Sequence, residues 1–294
     1  MPTFLIDWTF EPSVLLGIGI VALLYWRGLR YSARRGMARR LTRGRVVSFV
    51  TGLLAVVVAL ESPIDLWSDR YLWVHMIQHE MLTMVAAPLL VLGSPALPLL
   101  RAIPLGLRRS LLGKATQQGW LRRLWQGIGH PLGSPGGAWV LFVGDFALWH
   151  LPPLYDLTLE QAPIHYLEHL LFLGTAILFW AQAIPSPPFG RRRSLTDRAV
   201  FLGTVVLLGN VLDVIFIAAP SPLYPYYAAL PRPAGTISAM GDQSIAGGIM
   251  NGIDTTVLVS AILLLWRLPL RRERKAIRLD AAPTGTISAG DAPS

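Results

Sequence analysis

His75-Met-Ile-Gln-His79-Glu-Met-Leu-Thr-Met-Val-Ala-Ala-Pro-Leu-Leu-Val-Leu-Gly-Ser-Pro95 decides the fold. The run is apolar over the roughly 20 residues a helix needs to cross a bilayer, and it carries two imidazoles at its head. A spacing of four sets both rings on one helical face, a turn apart. A polar ionisable group at membrane depth costs about 3 kcal/mol, so such residues mark functional sites by default. Two further stretches repeat the arrangement: Trp149-His150 closes one apolar segment, and His165-Tyr-Leu-Glu-His169 opens another.

Working outward, hydrophobic residues make up 53% of the 294 positions and charged residues only 15%, with a mean hydropathy of +0.48. This balance belongs to an all-α integral membrane protein rather than a soluble domain. Apolar stretches fall at 13–27, 46–61, 71–93, 137–151, 163–184, 198–219 and 243–266, which predicts seven transmembrane helices. The net charge of +9 would suggest nucleic acid in a soluble chain. Here the arginines lie between apolar segments, so nucleic acid is excluded as a partner and membrane lipid takes its place.

The basic residues also orient the chain. Of the 26 Lys and Arg residues, all but Arg70 and Arg232 fall on alternate connections: after the first, third, fifth and seventh spans. The positive-inside rule then predicts a multi-pass protein with its N-terminus outside and its C-terminus in the cytoplasm. Met1 to Glu11 contains Asp7 and Glu11 but no Lys or Arg, unlike a cleavable signal, so the first apolar run reads as a retained span. Between Gly106 and Gly129, leucines and Trp125 alternate with basic residues, which predicts one amphipathic interfacial helix on the cytoplasmic side. The domain reading is a seven-helix transmembrane domain over 1–280 and a disordered cytoplasmic tail over 281–294, rich in Ala, Pro, Gly and Ser.

With that orientation, His75, His79, His150, His165, His169 and Asp242 all lie in the outer leaflet, with Gln78, Glu168 and Gln243 beside them. His130 falls in a cytoplasmic connection and reads as a loop residue. Imidazole suits copper, zinc, iron and nickel, and thioether sulfur adds a preference for Cu(I); Met76 and Met250 are the methionines at matching depth. The chain has no cysteine, so any soft-metal site must use His and Met. Two alternatives stay open on the residues alone. His165-Tyr-Leu-Glu-His169 fits the His-x-x-Glu-His pattern of inverzincin metallopeptidases, and histidines on facing helices are haem ligands in b-type electron-transfer proteins.

The His75 to Pro95 run resembles the signature of the CtaG family of assembly factors for bacterial caa-type cytochrome c oxidases. Leu148-Trp-His-Leu-Pro-Pro-Leu-Tyr-Asp156, His165-Tyr-Leu-Glu-His-Leu-Leu-Phe-Leu173, Tyr224-Pro-Tyr-Tyr-Ala-Ala-Leu-Pro-Arg232 and Asp242-Gln-Ser-Ile-Ala-Gly-Gly-Ile-Met250 are similar to that family's pattern in the same order. The resemblance implies a non-enzymatic assembly factor that handles copper on the outer face, with cytochrome c oxidase subunits as partners. It places the metal on His75, His79, His150, His165, His169, Asp242 and Met250. A homo-oligomer is compatible with this reading, and haem remains the alternative cofactor to copper. Two departures stand out: Ala87 interrupts an expected Ala-Pro-Pro pattern, and Asn251-Gly-Ile-Asp254 replaces a Trp-x-Pro-Gly-like stretch, leaving Asp254 as an extra carboxylate.

Overall fold

A computed structural model of the chain describes residues 8–36, 42–107, 123, 133–184 and 194–280, with side chains described as far as Arg267. Its long helices are α1 (Pro12–Arg34) and α2 (Arg43–Glu61), followed by the short α3 (Pro63–Ser68). The span that opens with the first histidine pair comprises α4 (Leu72–Glu80), a π-helical turn (Met81–Ala86) and α5 (Ala87–Leu92). Then come α6 (Ala96–Ala102), α7 (Pro135–Trp149), α8 (Pro152–Glu160), α9 (Ala162–Ala183), α10 (Leu195–Ala218), α11 (Pro225–Ala229) and α12 (Ala239–Asp280). Among the described residues every regular element is helical.

Local chemistry sets many of the starts. Proline occupies the first turn of α1, α3, α7, α8, α9 and α11, where its missing N–H is not needed and its fixed φ suits a helix. Serine hydroxyls cap three helices: Ser62 accepts from Ile64 N, Ser134 from Gly137 N, and Ser194 from Asp197 N, at 3.2, 3.0 and 3.0 Å. The π turn precedes Pro88, whose ring cannot donate and crowds the preceding turn, so the backbone widens to accommodate it. One carbonyl in this turn, Thr83 O, accepts from Trp180 Nε1 of α9 at 2.9 Å, which ties the irregular turn to its neighbour.

Among the described residues, six helices, including the composite Leu72–Leu92 segment, are long and apolar enough to cross a membrane. The fourth apolar stretch forms α7, which at 15 residues is about 22 Å long. It packs on α9, with the Phe142 and Phe179 rings stacked 4.6 Å apart. The distribution of polarity inverts that of a soluble protein. Leu16, Leu170 and Leu207 are 66%, 67% and 70% exposed, whereas His75, Gln78, Glu168 and Asp242 are fully buried. Such a surface is stable only where the surrounding medium is itself apolar. The Leu72–Leu92 segment is the axis of the bundle, with 78% of its apolar window buried. The proposed interfacial helix around Gly106–Gly129, His130 and the tail from Ala281 lie wholly or mostly outside the described residues.

Close helix approach depends on a few glycines. At Gly28 of α1 an added Cβ would lie 1.9 Å from the Pro98 carbonyl oxygen of α6, a clash with backbone that no rotamer relieves. A Gly28→Ala variant is therefore expected to lose about 1–3 kcal/mol of stability. Thermal unfolding in detergent reads this directly, and an unchanged midpoint would contradict the close α1–α6 packing.

Candidate metal centre

Three helices deliver five histidines to one end of the bundle. His75 and His79 project from α4, His150 caps the C-terminus of α7, and His165 and His169 stand one turn apart at the start of α9. Four of them are at least nine-tenths buried, and His165 is half-buried. Ring centroids of the neighbouring pairs lie 4.2 to 6.4 Å apart. Glu168, fully buried on α9, lies among them, with carboxylate oxygens 4.0 Å from His75 Nε2 and 3.8 Å from His79 Nε2. Potential ligand atoms of His75, His165, Glu168 and His169 all fall within 4.8 Å of one another.

Hydrogen bonds fix which nitrogens point inward. Tyr227 donates its hydroxyl proton to Ser68 O at 2.5 Å, and burial pushes its pKa well above the usual tyrosine value, so that proton stays in place. The same hydroxyl oxygen lies 3.0 Å from His75 Nδ1, and it can only accept there. His75 is therefore the Nδ1–H tautomer with a bare Nε2, to which His79 Nε2–H donates at 2.9 Å. His150 Nδ1 lies 2.7 Å from the Phe146 carbonyl oxygen; a carbonyl only accepts, so His150 also presents a bare Nε2.

The remaining polar atoms are unsatisfied. His150 Nε2, His165 Nε2, His169 Nε2 and both Glu168 oxygens are buried without a hydrogen-bond partner, as is His79 Nδ1. Each such group costs about 1–3 kcal/mol where water cannot reach it. Nitrogen lone pairs and a carboxylate gathered in this way fit a cation with borderline or soft character, and Nδ1 of His75 and of His150 is held as the second nitrogen of a ligand histidine usually is.

Asp242 and Met250 lie on α12 beside this group and have other partners. Asp242 Oδ1 accepts from Trp73 N at 2.9 Å, and Oδ2 accepts from Leu72 N at 3.1 Å and from Arg232 at 2.8 Å. It thus caps the N-terminus of α4 from another helix and neutralises Arg232. Met250 and Met76 are both buried in an apolar cluster with Leu72, Tyr155 and Phe216. Tyr227 was not among the candidate site residues read from the sequence, although it lies within the Tyr224 to Arg232 stretch that is similar to the family pattern. A Tyr227→Phe change removes the acceptor that sets the His75 tautomer, and is expected to weaken metal binding about 10–100-fold. Titration with a competing chelator checks this; wild-type affinity would contradict the tautomer assignment.

Outside the spans, burial raises the Asp65 carboxyl on α3 to about 6, partly offset by the hydrogen bond from Gln78. Gln78 lies between the two α4 histidines in sequence, and donates to Asp65 Oδ1 at 2.7 Å and to Ala59 O at 2.9 Å. It is a structural tie between α4, α2 and α3. Glu80 leaves the histidine face entirely. Its carboxyl group neighbours Asp254 of α12. Nearby, Asn251 donates to Asn210 and, at 3.4 Å, to Asp213.

Comparison with known proteins agrees with the motif order. A family model described as cytochrome c oxidase caa3 assembly factor matches residues 23–272. Uncharacterized proteins from Mycobacterium bovis and Mycobacterium tuberculosis are each 26% identical over 91% of this chain and 40% of their own length. One from Mycobacterium leprae is 26% identical over 98% of the chain and 43% of its own length. The chain thus spans about two fifths of the curated relatives it matches. No solved structure matches it.

Proposed function

The chain belongs to the family of cytochrome c oxidase caa3 assembly factors, and from that premise we propose that it binds copper in the histidine centre and supports its insertion into the oxidase. The observation that carries this reading is the convergence of five histidines from α4, α7 and α9, three of which, His150, His165 and His169, have buried Nε2 atoms without a hydrogen-bond partner. His75, His79, His150, His165 and His169 hold the ion, and Glu168 balances its charge. Met76 and Met250 line the flank, where thioether sulfur favours Cu(I). Asp242 serves the site by fixing the start of α4. Copper here is cargo, and the protein performs no covalent chemistry on it.

Seven spans complete the proposal, with α7 as the shortest. The histidine end faces outward and the arginine-rich ends of α1, α2 and α12 face the cytoplasm. The seven-helix transmembrane domain covers 1–280. The protein resides in the bacterial plasma membrane, contacts oxidase subunits and is compatible with self-association.

A bare ion suits the site better than haem, because neighbouring rings 4.2 to 6.4 Å apart leave no slot for a macrocycle between them. The test is the copper content of oxidase purified from cells with and without the protein. Copper-deficient oxidase in the second case is expected, and fully loaded oxidase would refute the role. A Glu168→Gln variant is expected to retain oxidase maturation when copper is plentiful. A metallopeptidase would lose its water-activating base and fail the same assay.

A further inference from the structure

At the end of α1 opposite the histidines, a cavity of about 430 Å³ opens between α1 and α6. Trp26, Arg27, Arg30, Arg34, Arg101 and Leu105 are among its lining residues, and among the described residues no carboxylate lines it. Four guanidinium groups without a counter-charge would repel one another in any apolar setting, so the cavity is built for an anion. Two of them are positioned by the fold. Arg30 stacks over the Trp26 ring, 3.7 Å from its centroid. Arg101 donates to Ser32 Oγ at 2.9 Å, and that hydroxyl donates to Gly28 O at 2.8 Å.

The sequence below the cavity identifies the kind of anion. Leu16, Ile20, Leu23, Arg27, Arg30 and Arg34 recur at alternating intervals of four and three and therefore share one face of α1. The three aliphatic residues are 66%, 49% and 60% exposed, and the stripe they form runs straight into the three arginines. A hydrocarbon track ending in a cluster of guanidinium groups, with Trp26 at the boundary, has the polarity profile of a phospholipid.

We propose that this cavity is a binding site for an anionic phospholipid, with its phosphate held by Arg27, Arg30, Arg34 and Arg101 and an acyl chain lying along Leu16, Ile20 and Leu23. The arginine fork suits phosphate oxygens bidentately, and four such groups accommodate more than one phosphodiester. The site is independent of the histidine centre, and its occupancy would fasten α6 to α1 where the two backbones meet at Gly28.

The full chain purified in neutral detergent tests this by native mass spectrometry with phosphatidylglycerol, phosphatidylcholine or inorganic phosphate added. Phosphatidylglycerol is expected to stay bound while phosphatidylcholine is lost. A triple Arg27→Gln, Arg30→Gln, Arg34→Gln variant should bind phosphatidylglycerol about tenfold or more weakly. These side chains are exposed, so folding is not at stake, and an Arg43→Gln control outside the cavity should bind normally. Equal retention of both lipids, or an unaffected triple variant, would overturn the site. Displacement of phosphatidylglycerol by equimolar inorganic phosphate would overturn the lipid assignment in favour of a soluble anion.

Discussion

Replacing His75 and His79 together by alanine is expected to abolish stoichiometric copper binding, with affinity falling by more than about 100-fold. His75 supplies a donor atom to the compact four-residue set, and His79 lies 2.9 Å from it and 3.8 Å from Glu168. Loss of both rings removes every ligand that α4 contributes and leaves His150 on α7 with His165, His169 and Glu168 on α9. The Tyr227 hydroxyl keeps its bond to Ser68 O, so the surrounding structure retains its tie. Copper analysis of the purified variant, with circular dichroism as the control for folding, reads the effect. Full copper occupancy in a folded double variant would place the ion elsewhere.

Asp242→Ala is expected to act through stability, at a cost on the order of 3–5 kcal/mol. The carboxylate accepts from two N–H groups of α4 and from Arg232. Its removal strands those donors and leaves a mostly buried guanidinium without its ion-pair partner. Arg232 also donates to Tyr227 O at 3.4 Å, so the loosened loop reaches the residue that sets the His75 tautomer. Asp242→Asn, which keeps an acceptor and loses the charge, should fall between the two. Unfolding in detergent distinguishes this role from direct ligation: a variant with the wild-type midpoint and no copper would make Asp242 a ligand.

How far the sequence carried these conclusions differs from residue to residue. The histidine pairs were legible because a spacing of four has one meaning on a helix, and the apolar runs around them leave no other element. That α4, α7 and α9 meet at one end also followed, since alternating arginines force the three histidine ends to the same side. The partners of Asp242 were not legible. Two of them are backbone N–H groups about 170 positions away, which carry no residue-type signal, and the third is the Arg232 side chain. Tyr227 escaped notice because its role depends on the direction of a single proton between Ser68 and His75. Glu80 follows His79 directly, yet one residue of helix turns it by 100° toward α12, where it meets Asp254. The extra carboxylate at 254 was visible as a departure from the family pattern, but its partner was not. The π turn likewise has no compositional mark beyond Pro88, whereas the short length of α7 was already visible in the short apolar run 137–151.

The most direct measurement is metal analysis and an absorption spectrum on one purified sample of the intact chain. About one copper per protein with no Soret band, lost in the His75→Ala, His79→Ala variant, is the predicted result. A Soret band that shifts on reduction, or metal-free protein that still supports full oxidase maturation, would contradict it.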